Sequence, residues 1–295
     1  MRIVVRQLVA GMVCAVLTFA LAAPAAATIK PLIYLTGEQP DYVYAYDQGK
    51  FKLQYLFSLT NPTGIAVDQS ANLYVTNFGS GIGVYAPGSM SPFESLSNPG
   101  MTSTAVAVAA DGTVYAVNYF YEWQRMLAGS IAVYGPGKLV PDYTLPLPGA
   151  ALIACVAVDA NKNVYVLYGD LAGDDYVREF AASSRGASTN LGLALPKGFF
   201  GWGIIVDTNG NLLVTDVKAN AIDVFPPGAT QPSTQIAQGT SARYMAFTSD
   251  GSELWVAGYN TMVYKYAYPA GTLLAEYKEP PGGVSGLATS PAAPF

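Results

Sequence analysis

A short apolar run of the type Gly-Ile-Ala-Val-Asp recurs six times, at residues 64, 105, 154, 203, 244 and 286 or within one residue of them. A period of about 40 to 50 residues marks units that bury an apolar face only by stacking on their neighbours. The chain is thereby confined to blade or solenoid architectures before any other property is weighed.

The residues between copies choose the blade. From Pro62 the sequence reads as a first strand 64–67, a polar turn 68–72, a second strand 73–76 and a third strand 82–85, each bounded by Gly, Asn, Asp or Pro. The same order follows Gly203, with strands at 203–206, 212–215 and 222–225 and a Pro226-Pro227-Gly228 turn. After each third strand comes a weaker, more polar fourth run, such as 142–145 or 272–275, and four strands per repeat make a propeller blade. The sixth first strand, 286–289, has too few residues after it to complete its blade. Runs 32–35, 43–46 and 52–57 supply strands two to four, so the last blade is expected to be closed by N-terminal strands, which removes the open edge. The expected fold is an all-β, six-bladed β-propeller with four-stranded blades.

These units resemble NHL-repeat propellers, whose repeats read as Gly-Ile-Ala-Val-Asp, a polar turn, Leu-Tyr-Val-Ala-Asp and a third strand ending in Val-Phe. The best copies are 64–85 and 203–225. There is a more distant similarity to gluconolactonase-like propellers, which implies a divalent metal held by carboxylates and amides at the channel. A fold that hosts hydrolases, lyases and scaffolds does not itself name an activity.

Arg2 and Arg6 precede an apolar run from Leu8 to Leu21 and the small residues 22–27, the pattern of a signal peptide over residues 1–27, with the propeller over 28–295. The mature protein is expected to be exported, periplasmic or extracellular, with no stable membrane anchor after cleavage. Cys14 leaves with the signal, and the remaining Cys155 lies in an apolar run, where an inert buried thiol is expected. The chain has no histidine, which removes Ser-His-Asp and Cys-His catalysis and His-ligated zinc together. Losing Arg2 and Arg6 takes the formal charge from −5 to −7, and no Lys or Arg run offers a nucleic-acid footprint. A monomer is expected.

Two aromatic-rich insertions stand out between the copies. One is Asn118 to Met126, holding Tyr119, Phe120, Tyr121 and Trp123; the other is Lys197 to Trp202, holding Phe199, Phe200 and Trp202. Both are assigned to the same face of the ring, with one blade between them. Exposed aromatic clusters at a concavity are common binding anchors, and Arg243 and Tyr244 add a cation and a phenol to that rim. The expected function is a binding or scaffold module for a peptide, glycan or protein. The alternative is a metal-dependent lactonase-type hydrolase with Asn77, Asn118 and Asp216 around a divalent ion, calcium being one candidate. Asp68, Asp159 and Asp207, which end the repeat, are assigned to turns. The acidic run Asp170, Asp174, Asp175 is read as a solvated loop rather than a calcium site, since it lacks a regular ligand ladder.

Overall fold

In the computed structural model, residues 30–38, 41–79, 81–97, 99, 101–122, 125–170, 172–197 and 201–293 are described. The expected signal segment lies outside them. The described residues hold 24 strands in six four-stranded antiparallel sheets and no α-helix.

The strands are β1 (Leu32–Glu38), β2 (Asp41–Asp47) and β3 (Leu53–Ser58), then β4 (Pro62–Val67), β5 (Leu73–Asn77), β6 (Gly81–Tyr85) and β7 (Glu94–Leu96) of blade one. Blade two has β8 (Thr102–Val108), β9 (Val114–Glu122), β10 (Arg125–Tyr134) and β11 (Tyr143–Pro146). Blade three has β12 (Leu152–Val158), β13 (Val164–Gly169), β14 (Asp175–Phe180) and β15 (Thr189–Asn190). Blade four has β16 (Ile204–Val206), β17 (Leu212–Asp216), β18 (Ala221–Phe225) and β19 (Thr234–Ile236). Blade five has β20 (Ala242–Phe247), β21 (Glu253–Gly258), β22 (Met262–Ala267) and β23 (Thr272–Lys278), and β24 (Val284–Ser290) comes last. β24 pairs with β1, in the order β24-β1-β2-β3, so the sixth blade is closed from both ends of the chain as expected.

Closure is sealed by aromatic packing between blades five and six. Phe51 stacks on Tyr46, Tyr277 and the fully buried Trp255, with ring centroids 4.4, 4.5 and 5.9 Å away. Large rings buried in this way dominate interface energetics.

Each position of the repeat has its own physical cause. A Cβ on Gly64 would come within 2.5 Å of Ala105 Cα, one on Gly203 within 2.6 Å of the Arg243 carbonyl, and one on Gly286 within 2.6 Å of the Thr63 carbonyl. Glycine stands where neighbouring inner strands approach most closely. The next residue, as Ile65, Val106 or Ile204, is buried between blades. The third is Ala66, Ala107, Ala157, Ile205, Ala246 or Ala288, all lining the central channel, and small side chains there leave a lumen. The insertion at 118–126 is not the loop expected from the sequence: β9 and β10 stay paired as far as Arg125 opposite Glu122, so it is a hairpin continuing two strands beyond the blade.

Candidate functional site

The turns after the inner strands are self-contained. Asp159 Oδ1 accepts the amides of Asn161 and Asn163 at 2.9 and 2.8 Å, and Oδ2 accepts Asn163 Nδ2 and the Tyr165 hydroxyl. Asp68 repeats all four bonds with Ser70, Asn72 and Tyr74. Asp207 repeats them with Asn209 and Asn211, and the Tyr268 hydroxyl of the next blade replaces the local tyrosine. Carboxylates so occupied are turn formers. Asp170 builds the same turn on the opposite face, accepting Ala172 N, Asp174 N and the Tyr176 hydroxyl, and these bonds hold its carboxyl below the usual range.

The opposite face is built from irregularities. Pairing of the inner strands slips between Pro62 and Ile65, Ser103 and Ala105, Ile153 and Cys155, Ala242 and Tyr244, and, in the last blade, opposite Thr36 and Gly37. Such bulges re-aim a side chain and recur beside binding sites. The residues so displaced are Thr63, Thr104, Ala154, Arg243 and Ser285, and Trp202 precedes β16 at the corresponding place; all six line the central cavity. Its volume is about 580 Å³, within the range of small-molecule sites.

In blades one and four a threonine on the second strand holds the irregular backbone. Thr76 Oγ1 accepts the Gly64 amide at 2.6 Å, and Thr215 Oγ1 accepts those of Trp202 and Gly203 at 3.0 Å. Thr63 Oγ1 also bonds Thr76 Oγ1 at 2.7 Å, while Ser285 Oγ donates to the Pro62 carbonyl at 2.8 Å. Blade two has Val117 where blade one has Thr76, opposite Ala105. The Thr104 hydroxyl is consequently buried at the mouth with no hydrogen-bond partner among the described residues.

Aromatic side chains crowd the same rim. The Arg243 guanidinium lies 4.8 Å from the Trp202 ring centroid, 5.2 Å from Tyr244 and 4.4 Å from the exposed Tyr259, and its Nη1 donates to the Val284 carbonyl at 3.4 Å. Cation–π contacts of this kind fix a long side chain against flat rings. Tyr119 lines the cavity too, its hydroxyl donating to the Ile153 carbonyl and accepting from the Ile153 amide. Asp175 Oδ2 accepts the Gly201 amide at 3.2 Å, tying the turn before Trp202 to blade three. Burial, and then the neighbouring Asp170 and Asp174 charges, push the Asp175 carboxyl up to about 6.

Of the sequence candidates, Tyr119, Trp202, Arg243 and Tyr244 thus meet at the cavity. Phe120 and Tyr121 lie in the paired stretch of β9. Trp123, Phe199 and Phe200 lie outside the described residues. The displaced rim residue of blade five is Arg243, and Tyr244 after it pairs with Ala257. Phe78 and Tyr259, which directly follow β5 and the end of β21, were missed; their signal is an aromatic just past a second strand.

Asn77 and Asp216 end β5 and β17, Asn118 lies in the middle of β9, and none of the three lines the cavity. Asn118 is fully buried and accepts the Ser103 hydroxyl at 2.6 Å. Asp216 accepts the Ala219 amide at 2.7 Å and faces Asp223. Burial, and then the charge of the neighbouring Asp216, push the Asp223 carboxyl up, against the Gln235 amide, which donates to Asp223 Oδ1 at 2.8 Å. Among the described residues no three His, Cys, Asp or Glu side chains are grouped to hold a metal ion. Burial pushes the Cys155 thiol up, away from a nucleophilic thiolate.

No protein-family model matches the chain, and no curated protein matches it. Among solved structures it is similar to a protein of unknown function from Bacteroides caccae, with a TM-score of 0.65 and 8% identity. That match covers 88% of this chain and 98% of the other, and supports the propeller fold alone.

Proposed function

We propose that this propeller is an exported binding module that takes its ligand at the mouth of the central channel, between Trp202, Arg243, Tyr244, Tyr259 and Tyr119. The observation that carries the reading is the set of five irregular inner strands, which with Trp202 before β16 bring six residues onto one rim above a cavity of about 580 Å³. Rigid rings with polar edges suit recognition of a peptide, a glycan or a small apolar molecule. The catalytic inventory supports binding rather than turnover: the chain has no histidine, its Cys155 thiol is held protonated, and the carboxyls nearest the rim are engaged in turns and backbone bonds.

An array of defined peptides, glycans and acyl compounds tests it, displayed to the mature protein and to Trp202→Ala. Ligands retained by the parent should lose at least tenfold in affinity with the variant while its thermal unfolding stays cooperative. Equal retention by both proteins would reject the rim as the site.

A further inference from the structure

The two ends of the cavity differ. After β24 the chain turns across the end of the channel where the Asp-Asn turns lie, and Ala292 and Ala293 join the cavity wall there. Ala292 packs against the apolar cluster that includes Ile65 and Val67 of blade one, and Ala293 against the cluster that includes Met245 and Phe247 of blade five, on either side of the last blade. Gln69 Nε2 donates to the Ala293 carbonyl at 2.9 Å and pins the crossing. Thr289 adds a bond from its hydroxyl to the Phe247 carbonyl. The C-terminal segment therefore narrows the end of the channel that lies opposite the aromatic rim.

Below the rim the lining is aliphatic: Ile65, Val106, Val156, Ile205, Met245 and Leu287, with the alanines of the repeat between them. From Thr63 to Val67 the wall is five strand residues deep, which at about 3.3 Å per residue is about 15 Å, the length of roughly ten to twelve extended carbons. A narrow channel with aliphatic walls favours an unbranched chain over a sugar or a charged side chain, because a polar group there would lose its water without replacement. At the opening stands the Thr104 hydroxyl, buried and without a partner among the described residues. A buried donor of this kind costs stability until an acceptor meets it.

Resting on the proposed rim site, we infer that the ligand is a single medium-length acyl chain: the alkyl part fills the aliphatic channel and the acyl carbonyl accepts the Thr104 hydroxyl at the mouth. The aromatic rim holds whatever head group the carbonyl carries. Trp202 and Tyr259 would flank that head, and five alanines of the repeat are small because the chain occupies the space larger side chains would take.

Calorimetric titration of the mature protein with straight-chain carboxylates from hexanoate to tetradecanoate tests this, with N-decanoylglycine as a second arm. Affinity should rise about fourfold per added methylene and stop rising near ten to twelve carbons. The tighter of decanoate and N-decanoylglycine identifies the head group. Thr104→Val, which keeps shape and removes the donor, should weaken both by about fivefold to tenfold. Ala107→Phe and Ala246→Phe, on opposite walls, should abolish binding with folding confirmed by circular dichroism. A flat affinity across chain lengths, or full binding by the two blocking variants, would overturn the inference. If no carboxylate binds while Trp202→Ala still loses its array ligands, the chain-filled channel is wrong and the rim site stands; if neither occurs, both fall.

Discussion

The two faces of this ring differ in how they use repetition. On one, Asp68, Asp159 and Asp207 make nearly the same four hydrogen bonds in three blades, so the residue that looks most like chemistry in the sequence is scaffold. On the other, a recurring backbone irregularity presents Thr63, Thr104, Ala154, Arg243 and Ser285, and Trp202 stands at the corresponding place before β16, six positions with five residue types. Conserved geometry with uniform side chains builds a wall; conserved geometry with varied side chains builds a surface that recognises something. Carboxylates already saturated by amides have no lone pairs to spare for a ligand, whereas the rim holds a buried hydroxyl and several rings.

The comparison breaks most sharply at the glycines. Gly203→Val would drive a side chain into the Arg243 carbonyl and separate blades four and five, at a cost of about 3 kcal/mol or more; chemical denaturation measures it, and a loss below about 1 kcal/mol would refute the close-approach argument. Asp159→Ala removes four bonds and should cost about 2 kcal/mol with ligand binding unchanged. A fall in binding in that variant, checked on the same array, would blur the division between faces. Trp202→Ala should do the reverse, costing only about 1 kcal/mol of stability while binding is lost.

The smallest effect concerns Asp175, which connects the two blades beneath Trp202. Its carboxyl titrates near 6 in the folded protein, above its ordinary value, so the folded state binds the proton more tightly than the unfolded chain. That stabilisation is complete below the unfolded value near 4 and is lost as pH rises through about 6. Asp175→Asn should therefore flatten this decline, by less than about 1 kcal/mol after discounting for partial solvent screening. Unfolding midpoints measured from pH 4 to 7.5 test it, and an identical pH dependence in both proteins would remove Asp175 from the account.

Much of the architecture was legible because period and turn chemistry are local. Gly-Ile-Ala-Val-Asp located the inner strands, and the shortage of residues after 289 pointed to β1, β2 and β3 as the missing partners. The rim was harder, since a bulge leaves no compositional mark: nothing in Ala242-Arg243-Tyr244 says which residue is displaced until β21 is laid beside it. The hairpin at 118–126 reads as a loop because its aromatics suit either state, and only pairing between β9 and β10 decides. The part played by Ala292 and Ala293 was invisible, because they acquire meaning only from the cavity wall they join. The vacant partner of Thr104 was readable in principle, as Val117 standing where the first repeat has Thr76, but only after the two blades are superposed.

Amide hydrogen exchange with and without the tightest array ligand tests the division of faces most directly. Binding at the rim predicts slower exchange at Trp202, Gly203, Arg243 and Tyr244 and no change at Asn72, Asn163 and Asn211 in the turns. Protection confined to those turns, with the rim unaltered, would contradict it.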